Sequence, residues 1–432
     1  MHAKFNFLRT AGIDKRKGTL KVIDKHGPCS QLHKDRATTA PTQAQILALD
    51  QARVDSIQSR LSKASSRTDA TTITAKSGEI LGSGNYFVTV GLGTPKNELS
   101  LVFDTGSDLT WTQCRPCAKS CYNQTEPIFD PSKSTSYVNV SCGAPECLQV
   151  SSATGRTTAC SPSNTCVYAI QYGDQSYSIG DFSKETITLS ESDVFNDFLF
   201  GCGQNNEGLF RGIAGLMGLG RNKISIVEQT AQKYNRFFSY CLPTTSSSTG
   251  FLTFGKDNMV SGNVKYTPLL KFDGSDSFYA LDLQGITVAG RQLSISPSVF
   301  SSSGTIIDSG TVISRLPPTA YSALKSAFKE QMAGYPTAPS FALFDTCYDL
   351  RGKETGKIPE ISFVFGGVAV VKLEPVGILY HVSDSQACLA FAANEDDRDV
   401  TIFGNVQQKK YEVVYDIGGG RVGFAPAPAG CT

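Results

Sequence analysis

The sequence has few histidines and no long apolar run. Of its four histidines, three lie within the first 33 residues, so a Ser–His or Cys–His nucleophile in the rest of the chain would have to use His381. The surrounding letters ILYHVSD predict instead a solvent-facing histidine on a strand. No stretch is long and apolar enough to predict a membrane-spanning helix. These shortages argue against a histidine-dependent hydrolase and against an integral membrane protein.

Net charge is also nearly absent, at +1. Such a value gives no overall reason to expect nucleic acid or a membrane surface as a partner. The chain opens with scattered basic residues and lacks the apolar segment of a signal peptide. The charge therefore points to neither class of partner, and any targeting signal has to be inferred from other features.

Cysteine, by contrast, is abundant. Twelve of the 13 cysteines lie between Cys114 and Cys431, an even number that fits six disulfides formed in an oxidising compartment. Cysteines 114, 117 and 121 have a spacing that suggests zinc, but neither a histidine nor a second Cys-x2-Cys pair lies nearby. We therefore predict disulfides and no bound metal. The expected location is secreted or vacuolar, with a plastid as the alternative, and no signal peptide is visible in this chain.

The first part of the chain differs in composition from the rest. Residues 1–68 hold 13 Lys and Arg against 5 Asp and Glu, so a basic segment precedes an acidic body. Apolar residues recur at helical spacing over 46–61, and a linker rich in Ser, Thr and Lys follows. This pattern predicts a helix and linker that form an appendage and not part of the core.

The body is predicted to be mostly β. From residue 86 onward, short runs rich in β-branched and aromatic residues alternate with Gly, Pro and Asn. Helical candidates are few, chiefly 225–233 and 320–332. The strand candidates are 86–90, 166–172, 184–189, 251–254, 279–288, 361–365 and 411–416.

One short motif occurs twice. Asp-[Ser/Thr]-Gly begins at Asp104 and again at Asp308, each time after an apolar run, and each copy precedes a later apolar-apolar-Gly segment, at 216–218 and 402–404. A carboxylate at the end of a buried strand is costly to desolvate unless a partner shares that cost. Two halves related by a pseudo-two-fold axis would supply the partner by bringing the two carboxylates together.

A pair of close carboxylates suits acid–base chemistry. Both cannot ionise cheaply, so one keeps a proton while the other is charged. The charged member can take a proton from a water between them, and the neutral member can donate one to a scissile carbonyl oxygen. We therefore predict Asp104 and Asp308 as catalytic. The proton belongs to the pair, so the sequence does not say which is the base. Water is the nucleophile, and no cofactor is expected.

Several longer motifs resemble the pepsin-like aspartic proteases, above all their plant nepenthesin-type branch. They are FDTGSDLTW, YGDQSYSIG, GIAGLMGLG, IIDSGTVISRLP and IFGNVQQKKYEVVYDIGGGRVGFA, and the resemblance covers nearly the whole chain after about position 80. It implies an all-β, bilobal fold with pseudo-two-fold symmetry, with lobes over 81–248 and 249–432. HGPCSQL looks like part of the branch's prosegment, so 1–80 are expected to be a prosegment and linker.

The resemblance also implies an activity. It predicts an aspartic endopeptidase that is made as a zymogen and is active at acidic pH. The body has more Asp and Glu than Lys and Arg. This suggests that the basic prosegment lies over the cleft, held partly by ion pairs with Asp and Glu carboxylates. Acid would protonate those carboxylates, weaken the pairs and lead to cleavage between residues 62 and 83.

Supporting roles around the two aspartates follow from the same resemblance. Each role is expected twice, once in each Asp-[Ser/Thr]-Gly motif. Thr105 and Ser309 would bond across the interface of the lobes. Gly106 and Gly310 would form tight turns that aim N–H groups at the carboxylates, and Ser107 and Thr311 would bond the outer carboxylate oxygens.

A hairpin, a disulfide and two glycosylation sites complete the predictions. Tyr172, Gly173 and Asp174 lie between two strand candidates, and the resemblance makes this hairpin a flap over the substrate, with the Tyr172 hydroxyl bonded to Trp111. The family's usual bridge suggests that Cys347 pairs with Cys388. Two Asn-x-Ser/Thr sequences predict glycosylation, at Asn123 and Asn139.

Two alternatives stay open. One is a non-catalytic binding or inhibitor protein on the same fold, although both aspartates and the flap tyrosine are present here. The other is a plastid protease that also binds DNA, for which Lys409 and Lys410 alone make too small a basic patch. The expected partners are therefore a protein or peptide substrate and the chain's own prosegment, with no nucleic acid, no metal and a monomeric chain.

Overall fold

The structure is a computed structural model of the 432-residue chain. It describes residues 18–30, 41–65, 86–172, 175–208, 210, 212–245, 247–256, 262–272, 275–352, 358–427 and 430–431. Gly173 and Asp174 of the predicted flap lie outside the described residues, as do residues 66–85 of the predicted linker.

Strands dominate the described chain, and most helices are short. The strands of the first half are β1 (Thr19–Asp24), β2 (Tyr86–Leu92), β3 (Asn97–Asp104), β4 (Trp111–Gln113), β5 (Val138–Asn139), β6 (Ala159–Cys160), β7 (Cys166–Gln171), β8 (Tyr177–Ser190), β9 (Asp193–Glu207), β10 (Gly215–Gly218), β11 (Phe237–Cys241) and β12 (Thr249–Phe254).

The second half continues in the same way. Its strands are β13 (Lys265–Leu270), β14 (Tyr279–Leu281), β15 (Leu283–Val288), β16 (Arg291–Gln292), β17 (Thr305–Ile307), β18 (Ser314–Leu316), β19 (Thr337–Ala338), β20 (Cys347–Asp349), β21 (Ile361–Phe365), β22 (Val370–Leu373), β23 (Leu379–His381), β24 (Gln386–Leu389), β25 (Phe391–Ala393), β26 (Thr401–Phe403), β27 (Tyr411–Asp416) and β28 (Arg421–Pro426).

Helices connect the strands. They are α1 (Gln43–Ser65), α2 (Pro145–Thr154), α3 (Ile226–Gln229), α4 (Ala231–Tyr234), α5 (Pro297–Ser303), α6 (Pro318–Gln331), α7 (Pro375–Ile378) and α8 (Asn405–Gln408). The two helices predicted in the body correspond to α3 with α4 and to α6. His381 ends β23 with an exposed side chain, as expected from its sequence neighbours.

The strands around the two aspartates form the same arrangement twice. β3 runs parallel to β10, and β4 pairs antiparallel with β10 and parallel with β9. In the second half β17 runs parallel to β26, and β18 pairs antiparallel with β26 and parallel with β25. The predicted all-β, bilobal fold with pseudo-two-fold symmetry is therefore confirmed.

A central sheet joins the two lobes. β11 of the first lobe pairs with β27 of the second, and β12 and β28 flank them. β1, from the predicted prosegment, pairs with β12 over Thr19–Ile23 and with β2. The sheet thus takes strands from both lobes and from the N-terminal segment, and the boundaries placed at residues 80 and 248 stay predictions.

Helix α1 lies in the cleft. Thr42 and Gln45 form a reciprocal capping box, with the Thr42 hydroxyl accepting from the Gln45 N–H (3.2 Å) and the Gln45 side chain accepting from the Thr42 N–H (2.8 Å). Buried apolar residues then line one face of the helix: Leu47, Val54, Ile57 and Leu61. The prediction of an appendage outside the core is wrong, because these side chains pack against strands of the second lobe.

Six disulfides cross-link strands, loops and helix α2. The pairs are Cys114–Cys202, Cys117–Cys121, Cys142–Cys160, Cys147–Cys166, Cys241–Cys431 and Cys347–Cys388. Cys29 is outside these bridges, and its Sγ donates to the Ser247 carbonyl (3.1 Å). Within the described ranges, no helix has the length and apolar character needed to cross a membrane.

Candidate active site

The two predicted catalytic aspartates lie at equivalent points of the repeat. Asp104 is the last residue of β3, and Asp308 directly follows β17. The parallel pairing places Asp104 opposite Gly218 on β10, and the matching pair in the second lobe is β17 with β26. Both side chains are buried, with 1% and 0% exposure. Each strand therefore delivers a carboxylate to the interface between the lobes.

Each carboxylate receives the same set of hydrogen bonds. The Gly106 N–H donates to Asp104 Oδ1 and the Gly310 N–H donates to Asp308 Oδ1, both at 3.0 Å. The Ser107 hydroxyl donates to Asp104 Oδ2 at 2.7 Å. In the second lobe, the Thr311 hydroxyl donates to Asp308 Oδ2 at 2.5 Å. Donors fixed on both oxygens compensate for the loss of water around a buried carboxylate.

Thr105 and Ser309 bond across the interface. The Thr105 N–H donates to Ser309 Oγ (3.1 Å), and the Ser309 N–H donates to Thr105 Oγ1 (2.9 Å). The Thr105 hydroxyl also donates to Ser309 Oγ (3.3 Å), and both side chains are buried. The exchange of bonds holds the two aspartate loops at a fixed separation.

The glycines of the two motifs are required by close approach. A Cβ at Gly106 would lie 2.9 Å from Asp308 Oδ1, and a Cβ at Gly310 would lie 2.6 Å from Asp104 Oδ1. Each loop therefore faces the carboxylate of the other lobe. A side chain at either position would push the two aspartates apart.

Arg53 of α1 bridges the two carboxylates. Its Nη2 donates to Asp104 Oδ1 at 2.7 Å and to Asp308 Oδ1 at 3.0 Å, while its Nε donates to Asp308 Oδ2 at 2.9 Å. The Arg53 side chain is 13% exposed. The guanidinium occupies the space that lies between the two carboxylates. Sequence reasoning expected ion pairs here but did not find this residue. The one signal in the sequence was an arginine next to Val54, among the apolar residues that recur at helical spacing in α1.

The cation alters the acidity of the site. Burial by itself would raise the pKa of Asp308, but the charge and hydrogen bonds of Arg53, together with those from Thr311 and Gly310, hold that pKa below its usual value. Burial would lower the pKa of Arg53, and the two carboxylates outweigh it and raise that pKa further above its ordinary range. With Arg53 in place, Asp308 is therefore ionised and the guanidinium is charged.

A third buried carboxylate, that of Asp108, lies four residues after Asp104. Asp108 accepts from the Ser277 hydroxyl (2.5 Å) of the second lobe and from the Asn222 N–H (2.9 Å). Burial raises the pKa of Asp108 to about 6, against the opposing effect of these hydrogen bonds. The Arg60 guanidinium lies 5.2 Å from the centroid of the Phe278 ring nearby. Asp108 thus connects the lobes without contacting the dyad directly.

The flap tyrosine and the tryptophan are in contact. Trp111 Nε1–H donates to the Tyr172 hydroxyl at 2.7 Å, and the Phe210 ring packs edge-on against both rings. Tyr172 follows β7, and its N–H donates to the Ser176 carbonyl just before β8, so the hairpin closes at this point. The hydrogen bond fixes the base of the hairpin over the cleft.

Little space is left between α1 and the flap. A cavity of about 40 Å³ lies there, with Arg53, Arg60, Asp104 and Tyr172 among its lining residues. That volume holds a few waters at most. In this arrangement α1 leaves no room beside the carboxylates for anything much larger than water.

The remaining predicted residues lie on the body surface or in the second lobe. Asn123 and Asn139 are both exposed, and their glycosylation stays a prediction. Cys347 of β20 faces Cys388 of β24 as a direct cross-strand partner, and the structure joins them in a disulfide. Among the described residues, no group of three or more His, Cys, Asp or Glu is arranged to hold a metal ion.

Comparisons with known proteins agree with this geometry. Residues 86–256 match the family described as Xylanase inhibitor N-terminal, and 278–426 match Xylanase inhibitor C-terminal. An aspartyl protease family protein of Arabidopsis thaliana is 57% identical over 95% of this chain and 87% of its own length. Aspartic proteinase nepenthesin-2 of Nepenthes gracilis is 36% identical over 81% of this chain and 79% of its own length.

Solved structures share the fold at low sequence identity. The structure of edgp has a TM-score of 0.65 at 20% identity, covering 79% of this chain and 91% of that chain. Basic 7S globulin from soybean has a TM-score of 0.63 at 21% identity, covering 80% and 93%. The fold, the repeated motif and the identity to named proteases lead to one assignment. The chain belongs to the plant pepsin-like aspartic protease family, in its atypical, nepenthesin-type branch.

Proposed function

We propose that the chain is an aspartic endopeptidase in which a water held between Asp104 and Asp308 attacks the peptide bond. The observation that carries the proposal is the equivalent bonding of the two carboxylates, each with a glycine N–H on Oδ1 and a hydroxyl on Oδ2. A site that serves only for binding has no need of two matched acids at the centre of the interface.

The proposed reaction uses one proton shared by the pair. In the open site Asp104 and Asp308 are close enough that one stays neutral while the other is charged. The charged carboxylate takes a proton from the water as its oxygen attacks the carbonyl carbon, and the neutral one donates its proton to the carbonyl oxygen. Collapse of the tetrahedral intermediate then breaks the C–N bond: the carboxyl group that took the proton of the water passes it to the leaving nitrogen, and a hydroxyl of the intermediate returns a proton to the other carboxylate. The Tyr172 hairpin covers the substrate during these steps.

We further propose that the full chain is a zymogen in which Arg53 inhibits the dyad. The guanidinium lies within hydrogen-bonding distance of both carboxylates, in the space that the attacking water needs. It also holds the pKa of Asp308 below its usual value, so this carboxyl group is not available as the neutral acid. Residues 1–80 would then act as prosegment and linker, and 81–248 and 249–432 as the two catalytic lobes.

Acid would release α1 by protonating the carboxylate of Asp308. With α1 in place the pKa of Asp308 is lowered, so the docked form binds fewer protons than the open dyad. Lowering the pH through the ordinary carboxyl range, around 4, therefore favours release. Asp50 acts in the opposite direction, because burial raises its pKa in the docked helix in spite of Arg315. Protonation of Asp308 is thus the step on which release depends.

The cellular location is part of the same proposal. Six disulfides within one chain suit a secreted or vacuolar protein. In that pathway Asn123 and Asn139 would be glycosylated, since both are exposed. A monomer that acts on protein or peptide substrates is the simplest form that fits this cleft.

Acid activation tests the proposal. The purified full-length chain is held at pH 7 or brought briefly to pH 3, and its length, its new N-terminus and its cleavage of a peptide library are followed with and without pepstatin. We expect an intact, inactive chain at pH 7. At pH 3 we expect cleavage between residues 62 and 83 and pepstatin-sensitive activity. Full activity of the uncut chain at pH 7 would contradict the zymogen, and no activity at any pH would contradict the protease.

A non-catalytic binding protein is the second candidate function. It is favoured by the description of the two matching families, which names xylanase inhibitors. The acid-activated chain distinguishes the two, because a binding protein would inhibit a xylanase in a stoichiometric assay and cleave none of the library peptides.

A further inference from the structure

A second buried ion pair links α1 to the body. Arg315 of β18 and Asp50 of α1 are both fully buried, and Arg315 Nη2 donates to Asp50 Oδ2 at 3.0 Å. The N–H groups of Val312 and Ile313 also donate to this carboxylate, to Oδ1 at 2.5 Å and to Oδ2 at 3.1 Å. One guanidinium and two backbone N–H groups therefore surround both oxygens of a single carboxylate.

Every donor of this site belongs to the body of the chain. When α1 leaves, Arg315 Nη2 loses both of its α1 partners, Asp50 and Gln51. Arg315 Nη1 keeps its bond to the Ile313 carbonyl (2.7 Å), while Arg315 Nε is buried without a hydrogen-bond partner. Without α1 the Arg315 guanidinium has lost its anion in a site that still presents two N–H donors, so the site favours another anion.

The site lies beside the catalytic dyad. Val312 directly follows Thr311, whose hydroxyl bonds Asp308. On the helix, Asp50 and Arg53 are three residues apart, a spacing that places their Cβ atoms about 5–6 Å apart on one face. An extended peptide advances about 3.3 Å per residue. A substrate with its scissile bond at the dyad would therefore bring a side chain to Arg315 from within about two residues of that bond.

We propose that Arg315, with the N–H groups of Val312 and Ile313, is a subsite for an acidic side chain of the substrate. In the full chain Asp50 occupies the position that an Asp or Glu of the substrate takes in the active enzyme. The inference rests on the proposed protease function. It assigns Arg315 as a residue that determines specificity and gives it no part in the chemistry at the dyad.

The preference for acid should depend on pH in a defined direction. Burial under α1 raises the pKa of Asp50, whereas Arg315 and the two N–H groups favour the ionised carboxylate. An extended peptide covers the site less completely than the helix does, so these donors decide the direction, and the preference for Asp over Asn grows as the pH rises through about 4. Around the site, Asp50 and Arg53 leave with α1, and burial together with Asp50 raises the pKa of Tyr380 to about 12 in the docked form, outside the tested range. Asp104 and Asp308 also lie near the site, so the two peptides of a pair are always compared at one pH.

Matched peptide pairs test the subsite. The acid-activated enzyme is given peptides that carry Asp or Asn, and Glu or Gln, at each of three positions on either side of the scissile bond, and kcat/KM is measured from pH 3 to 5.5. We expect one position at which the acid is preferred at least about 10-fold at pH 5.5, a factor typical of a charge-assisted hydrogen bond, and the preference to fade by pH 3. In Arg315→Met the ratio should fall to about one, and Arg315→Lys should restore part of it.

An Asp50→Asn precursor is the matched control. After activation its body has the same sequence as the wild-type body, so its acid-to-amide ratios should not change. If Arg315→Met does not fold, the wild-type pH profile and the Arg315→Lys ratio still decide the question. Two results would overturn the subsite alone: an active wild-type enzyme that prefers acid at no position, or an acid preference that stays the same in the Arg315 variants. Absence of cleavage of every peptide overturns the proposed function and the subsite with it.

Discussion

Among single residues, Arg53 has the largest effect on the chemistry of the dyad. Two buried carboxylates that face each other cannot both be charged at low cost. A guanidinium bonded to both removes that constraint, and the lowered pKa of Asp308 follows from it. Arg53 therefore stabilises the ionised form of Asp308 and, by lying between the two carboxylates, keeps them from sharing a proton.

Replacing Arg53 by methionine should raise the pH at which the chain activates. The change removes both ion pairs while keeping an apolar side chain of similar length, and breaking a buried pair costs about 3–5 kcal/mol. We expect the variant to be cut and active at about pH 6, where the wild-type chain stays intact. Gel mobility and peptide cleavage across a pH series measure the shift.

Arg60→Met is the control for this prediction. Arg60 is an arginine of the same helix that packs on the Phe278 ring and forms no ion pair with either aspartate in the structure. Its variant should activate close to the wild-type pH. Equal activation curves for wild type and Arg53→Met would contradict the role given to Arg53.

Asp108 should make stability depend on pH. Its pKa is raised to about 6 by burial, whereas an exposed aspartate titrates near 4, so the folded state holds a proton that the unfolded state has lost between these values. The free energy of unfolding therefore falls as the pH rises from 4 to 6, by at most about 3 kcal/mol. Asp108→Asn should lack this decrease.

Urea unfolding at pH 4 and pH 7 measures the effect of Asp108, in an Asp104→Asn background that prevents self-digestion. The exposed neighbour Asp276 supplies the control variant, Asp276→Asn, which should follow the parent protein. An Asp108→Asn protein whose stability changes with pH as much as that of the parent would count against the assignment.

At the scale of elements, α1 and the flap hairpin close the cleft from two sides. The helix was predictable from its apolar spacing and from the Thr42–Gln45 capping box, both of which are local signals. Its burial was not, because the strands that cover Leu47 and Ile57 come from residues more than 200 positions away. Apolar residues at helical spacing predict that one face of a helix is buried, but they do not identify the part of the protein that covers it.

The hairpin depends on the bond between Trp111 and Tyr172. Tyr172→Phe keeps the ring and its contact with Phe210 but leaves the Trp111 N–H buried without its partner, which costs about 1–3 kcal/mol. We expect kcat/KM to fall by about 5- to 100-fold with little change in the folded structure. Tyr177→Phe, at the start of β8, removes a hydroxyl that bonds Glu207 away from the dyad and should have little effect. Equal losses in both variants would show that Trp111 is not the relevant partner.

At the scale of the whole molecule, the pseudo-two-fold axis explains which features the sequence could predict. The repeated Asp-[Ser/Thr]-Gly motif marks both strand ends, and the equivalence of β3 with β17 places Asp104 and Asp308 at one interface. The symmetry does not extend to α1 or β1, so Arg53 could not be matched to a second copy. Arg315 lies on β18, inside the repeat, but its partner Asp50 belongs to α1. These residues act through contacts with the N-terminal segment, and such contacts leave no local pattern.

The central claim is that Asp104 and Asp308 together cleave peptide bonds, and one measurement tests it most directly. Wild type, Asp104→Asn and Asp308→Asn all receive the same site for an unrelated protease within residues 66–85, so removal of the prosegment does not depend on their own activity. After that cleavage and acidification, kcat/KM is measured on one peptide, and thermal unfolding checks the fold. We predict losses of several orders of magnitude in both variants, because asparagine keeps the shape and removes the shared proton. Near-wild-type cleavage by either variant would contradict the claim.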